Sequence, residues 1–103
     1  MNAFRLTGVR FTRLAEMDIT DILDWYNAQS PDLGDEFIQV FNRAIDLILD
    51  HPLAAPLVYR RARRLVIDRF PYSVFYIYER NRARVIAVMH HRRDPRDWQS
   101  RLP

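Results

Sequence analysis

Residues 12–52 read TRLAEMDITDILDWYNAQSPDLGDEFIQVFNRAIDLILDHP, and their hydrophobic spacing decides the fold class. Ala15, Ile19, Ile22, Leu23 and Tyr26 recur at three- and four-residue intervals, while Glu16, Met17, Asp21 and Asp24 point elsewhere and Leu14 and Trp25 sit beside the stripe. That pattern is one face of an amphipathic helix. Thr12 is placed to cap its start, and the helix runs to about Gln29. Ser30-Pro31-Asp32 then supplies a second start signal: a capping hydroxyl, a proline whose fixed φ suits the first helical position, and an acid near the positive helix end. Leu33, Phe37, Val40, Phe41, Ala44, Ile45 and Ile48 line one side of this second helix, which His51-Pro52 ends. Two helices joined by so short a turn pack as an antiparallel hairpin.

Outward from this segment the period changes from 3.6 to 2. Phe4–Phe11 reads as a strand ahead of the hairpin, and beyond Leu57 the segments Arg63–Phe70, Tyr72–Glu79 and Arg84–His91 are rich in β-branched and aromatic residues. Pro71 separates the first two, and the turn Glu79–Arg84 separates the last two. Asp94-Pro95 starts a short helix within Asp94–Leu102. The expected fold is α+β, in the order β-α-α-β-β-β plus a C-terminal helix or tail, with the hairpin on one face of an antiparallel-dominated sheet.

The sheet carries more apolar surface than one hairpin covers. On Tyr72–Glu79, Tyr72, Val74, Tyr76 and Tyr78 share one face, and Phe75 and Ile77 share the other. Strict alternation on Arg84–His91 puts Val85, Ala87 and Met89 opposite Ile86 and Val88. Both faces need cover. The second cover is the tail with Trp98 and Leu102, a second copy, or a partner protein.

The 103 residues, 49% hydrophobic and 13% aromatic, fit a single domain spanning 1–103. There is no cysteine, which excludes disulfides, thiolate metal sites and cysteine nucleophiles. His51, His90 and His91 lack metal-ligand spacing, two glycines make no phosphate loop, and no serine has a triad context. No metal or cofactor is expected. The N-terminal stretch lacks the apolar run of a signal peptide or membrane span, so a soluble, cytoplasmic protein without membrane contact is expected.

The net charge of +3 conceals two unlike halves. Residues 1–57 hold four arginines and nine acids; residues 58–103 hold twelve arginines and four acids, and lysine is absent throughout. Guanidinium groups bind phosphate or carboxylate bidentately, so the partner is anionic: nucleic acid or an acidic protein. Asp18, Asp21 and Asp24 read as a solvated helix face or a contact surface for something basic.

Several pieces together resemble the RelE/ParE superfamily of toxins. They are Ala15, Asp18, Ile22 and Tyr26, then Ser30-Pro31-Asp32-Leu33, then Arg69-Phe70-Pro71-Tyr72, then Met89-His90-His91-Arg92-Arg93-Asp94-Pro95 with Trp98 and Arg101. The resemblance covers nearly the whole chain and is strongest to the ParE branch; Gly34, where the family more often has alanine, is a small departure. It implies the toxin of a type II toxin–antitoxin module. Its partner would be a ParD-like antitoxin with a DNA-binding part and a wrapping segment, so that DNA is reached only indirectly. RelE-like members cut messenger RNA on the ribosome, whereas ParE-like members are associated with inhibition of DNA gyrase, and fold does not choose between them.

RNA cleavage would need a base, an acid and cations near the developing phosphorane charge. The candidates are Arg69, Tyr72, His90, His91, Arg92 and Arg93. The two histidines are adjacent on a strand and face opposite ways, the tail has Trp98 and no tyrosine, and lysine is missing. These departures favour a gyrase-binding inhibitor with no catalytic residue; a non-toxic member that only binds its antitoxin is a third reading. Candidate antitoxin contacts are Leu14, Trp25, Tyr76, Tyr78, Val85 and Met89. Candidate target contacts are Arg92, Arg93, Arg96, Trp98 and Arg101.

Overall fold

The computed structural model describes residues 8–103. Its elements are β1 (Val9–Phe11), α1 (Arg13–Gln29), α2 (Pro31–Asp50), β2 (Leu57–Tyr59), β3 (Ala62–Val66), β4 (Tyr72–Glu79), β5 (Arg82–His90) and α3 (Pro95–Gln99). The part of the expected first strand before residue 8 lies outside the described residues.

Each helix end has a local cause. The Thr12 Oγ1 accepts the Ala15 N–H at 3.1 Å, which satisfies one of the donors a helix start leaves unpaired. Ser30 serves both helices: its N–H closes α1 on the Tyr26 carbonyl at 2.9 Å, and its Oγ accepts the Asp32 N–H of α2 at 3.3 Å. Near this corner the helices approach so closely that a Cβ on Gly34 would lie 1.7 Å from the Asn27 Oδ1. The glycine weakens helix propensity by about 1 kcal/mol relative to alanine, but it lets Asn27 sit over the α2 backbone.

The hairpin packs as its two stripes require. Ala15, Ile19 and Ile22 of α1 and Phe37, Phe41, Ala44 and Ile48 of α2 are buried in one cluster, with Tyr26 half-buried against it. Phe37 stacks on Tyr26 at 5.8 Å and meets Phe70 edge-on at 5.3 Å, so aromatic rings bind the hairpin to the turn after β3.

The sheet order is β1-β5-β4-β3-β2, antiparallel except for β1 beside β5. The parallel pair follows from the connection: β1 is separated from β5 by the whole hairpin and three further strands, so no tight turn links them. Two details differ from the sequence expectation. The short edge strand β2 precedes β3, joined to it by a two-residue turn in which Arg60 has φ 51°. In addition, β3 ends at Val66 and not at Phe70, because Arg69 adopts φ 70° and the Ile67 N–H turns to the Tyr72 carbonyl at 2.9 Å.

A β-bulge decides which face each residue of β5 occupies. Phe75 pairs with Ala87 and Tyr76 with Val85, so Ile86 has no opposite number. Past such an insertion the alternation reverses. Val85 and Val88 therefore both face the hairpin, and Ile86, Ala87 and Met89 all face the other way. Strict alternation had placed Val85 with Ala87 and Met89, and this assignment is corrected.

The second face has its own core. Ala62, Phe75, Ile77, Ile86, Ala87 and Met89 are buried there with Trp98, and Tyr59 and Leu102 pack at its margin. Trp98 of α3 lies flat on Phe75, with centroids 4.2 Å apart at 16°, and Tyr59 meets the indole edge-on at 6.0 Å. The chain's own tail covers this half of the sheet, so no partner is required to do so.

Candidate functional site

A clasp built around Asp18 holds the tail in place. Beyond Val85, β5 has no strand beside it on the β1 side, which leaves the Ile86 carbonyl and the Val88 N–H without ladder partners. Asp18 Oδ2 accepts the Val88 N–H at 3.0 Å. Arg101 then bridges the two, donating from Nη1 to Asp18 Oδ2 at 2.7 Å and to the Ile86 carbonyl at 3.0 Å, and from Nη2 to Asp18 Oδ1 at 3.1 Å. Both side chains are only 16% exposed. This fork-on-carboxylate geometry is the stronger kind of ion pair.

Asp18 therefore separates from Asp21 and Asp24, which are exposed. Its position between Ala15 and Ile22 on the buried stripe was the available signal, since an acid there must find a partner. Arg101 was assigned to a target surface and is instead a structural residue; Trp98, assigned likewise, is buried on Phe75. Of the five proposed target contacts, Arg92, Arg93 and Arg96 are exposed. Arg93 pairs with Asp97 at 2.9 Å and Arg96 with Asp94 at 2.7 Å. The Arg96 guanidinium also holds the Asp94 carboxyl below its ordinary range.

The residues that a nuclease would use gather at one end of the sheet. Tyr72 and His90 are register partners with rings 5.3 Å apart. Arg69 lies in the turn before Tyr72, and Arg92 and Arg93 lie in the turn after β5. Most are already engaged. Arg69 pairs with Glu36 at 2.8 Å, the His90 Nδ1 accepts the Arg92 N–H at 3.0 Å, and Arg93 holds Asp97. Burial, the neighbouring Tyr72 phenol and a hydrogen bond with it push the Tyr26 hydroxyl up to about 12. His91 is exposed, with its ring centroid 6.5 Å from that of His90 and its N–H on the Pro71 carbonyl at 2.9 Å. Among the described residues no group of three or more His, Cys, Asp or Glu side chains could hold a metal ion.

The six residues assigned to the antitoxin do not form one surface. Tyr76 and Val85 have no exposed area under the hairpin, and Met89 is buried on the opposite face. The Tyr76 hydroxyl donates to the Pro52 carbonyl at 2.7 Å, and burial raises its pKa. Tyr78 is half-buried on the hairpin side. Leu14 and Trp25 are 48% and 57% exposed, and Met17, which the sequence reading passed over, is 51% exposed. Positions 14, 17, 21 and 25 fall on one outer stripe of α1.

A helical hairpin on one face of a mostly antiparallel sheet, with a C-terminal helix clasped to the other, defines a small two-layered α+β protein. A family model described as "ParE toxin of type II toxin-antitoxin system, parDE" matches residues 9–95. The chain belongs to this ParE toxin family. No curated protein matches it. A solved structure described as "Chromosomal ParDE TA system from P. aeruginosa" shares the fold with a TM-score of 0.68 and 17% identity, over 81% of this chain and 94% of that one. Among the described residues no helix is long and apolar enough to cross a membrane.

Proposed function

We propose that this protein is a cytoplasmic toxin that binds and inhibits DNA gyrase without chemistry of its own, and that a ParD-like antitoxin neutralises it. The family match over residues 9–95 carries the reading. The engagement of Arg69 by Glu36 and of the His90 Nδ1 by a backbone N–H supports a binding role over RNA cleavage, which needs such groups free to move protons and meet phosphate. Arg92, Arg93 and Arg96 are the proposed target contacts, and Leu14, Met17 and Trp25 the proposed antitoxin contacts. Expression from a tight promoter without antitoxin tests the function. An SOS reporter rising before protein synthesis falls is expected; translation arrest first would mean a ribosome-directed nuclease, and unimpaired growth would mean a member that is not toxic.

A further inference from the structure

The outer face of α2 carries an apolar side chain between two unpaired charges of opposite sign. Arg43, Leu47 and Asp50 follow one another at intervals of four and three residues, so they share a stripe turned away from the buried Phe41, Ala44, Ile45 and Ile48. All three are exposed. Among the described residues no acid lies within ion-pair distance of Arg43, and no base within that distance of Asp50. Asp50 is also the last residue of α2, where the helix presents partial negative charge, and that turn has no basic residue to offset it. An isolated chain gains nothing from an acid there.

The apolar surface extends past the helix end. Leu47 sits on the rim of a groove of about 310 Å³ whose walls include Ile48, Ala54, Ala55, Pro56 and Leu65. Leu53 and Leu57, each more than half exposed, stand beside it. Arg63 holds them there: it is the register partner of Leu57 and donates from Nη1 to the Leu53 carbonyl at 3.1 Å and the Ala55 carbonyl at 2.7 Å. Exposed leucines grouped around one groove mark an interface.

We propose that a second copy of this chain occupies this face, with the two α2 helices antiparallel about a two-fold axis at Leu47. The order of the charges selects the occupant. At a rise of about 1.5 Å per residue, Arg43 lies about 6 Å before Leu47 and Asp50 about 4.5 Å after it. The two-fold therefore sets each Arg43 level with the partner's Asp50 and gives the helix end the cation it lacks. One operation answers both charges in both copies, as a self-complementary contact requires. A partner of a single sign would meet one of these charges and repel the other. α1 meets α2 on the opposite side, at Gly34, so the pairing does not rest on the function or the antitoxin contacts proposed above.

Sedimentation equilibrium of the purified full chain tests the pairing. A monomer–dimer equilibrium is expected, weakened about tenfold or more by R43E or D50R, each of which sets like charges together, and restored to within about threefold by R43E/D50R, whose exchanged pattern is again self-complementary. L47D should abolish the dimer, whereas M17D on α1 should change it less than about twofold. These positions are exposed, and far-UV circular dichroism matching that of the unchanged protein would show that each variant is folded. A chain that stays monomeric up to about 1 mM would leave the face to some other partner and overturn the proposal. So would a dimer indifferent to the single reversals, a folded R43E/D50R as weak as they are, or a dimer lost in M17D and kept in L47D.

Discussion

The two faces of the sheet are closed by unlike means. One lies under two helices of 17 and 20 residues whose apolar stripes interlock along their length. The other lies under a five-residue helix, a single indole and one ion pair. A long amphipathic stripe distributes burial over many side chains, so its register is over-determined. A short helix has no such redundancy and cannot stand alone. The tail must therefore be pinned at a few points, and the loss of one of them releases the whole cover.

The largest effect is expected from Phe41→Ala, which removes a ring with no exposed area from the hairpin core. It should lower stability by roughly 3–5 kcal/mol, seen as an earlier urea midpoint; an unchanged midpoint would contradict the packing. Trp98→Ala should cost somewhat less, about 3 kcal/mol, because a terminal helix relaxes more readily than a core. It sharpens the comparison through hydrogen exchange, in which residues 95–102 should lose protection while α1 and α2 keep theirs. Equal loss everywhere would mean that the two faces are one cooperative unit.

Arg101→Ala should cost about 2 kcal/mol, since it strands a half-buried carboxylate and leaves the Ile86 carbonyl with only the long Thr12 hydroxyl bond at 3.4 Å. If the clasp acts as described, the loss is coupled to Asp18: in a double-mutant cycle with Asp18→Asn the two changes should be far from additive, and additive effects would separate Arg101 from Asp18.

A smaller effect concerns the hairpin face at high pH. The Tyr26 hydroxyl has its folded pKa raised from 10.0 to about 12, so the folded state holds its proton more tightly than the unfolded chain. That contribution is fully present below pH 10 and is lost as pH rises towards 12. Tyr26→Phe should flatten the stability profile in this window, and a profile as steep as that of the unchanged protein would rule out Tyr26 as its source. The smallest effect is expected from changing Arg92 and Arg93 together to alanine. Exposed pairs contribute little, so stability should move by less than about 1 kcal/mol, while toxicity or antitoxin affinity should fall. Full retention of both at moderate salt would remove these arginines from the interface.

Much of this fold is legible along the chain. Thr12 and Ser30 mark helix starts, Pro31 sits where a helix tolerates it, and β4 runs over Tyr72–Glu79 as its composition indicates. The clasp was half-legible: Asp18 lies on the buried stripe of α1, but nothing near it in sequence names Arg101. The bulge was not legible, because Ile86 and Ala87 are both apolar and fit either face. The early end of β3 was hidden for a related reason, since Arg69 takes a left-handed conformation that its residue type does not announce.

What the sequence by itself determined are the features whose causes lie within a few residues: caps, helical stripes, strand composition and the unlike charge of the two halves. The tertiary structure decided which apolar residues face the hairpin, which arginines are free, and what covers the second face. Those outcomes depend on partners far apart in the chain. Asp18 meets Arg101 across 83 positions and the Val88 N–H across 70, and the unpaired edge of β5 that they satisfy exists only once β1 has docked and stopped at Phe11. Local periodicity carries no information about such an edge, because the backbone groups it leaves unpaired are chemically the same in every residue.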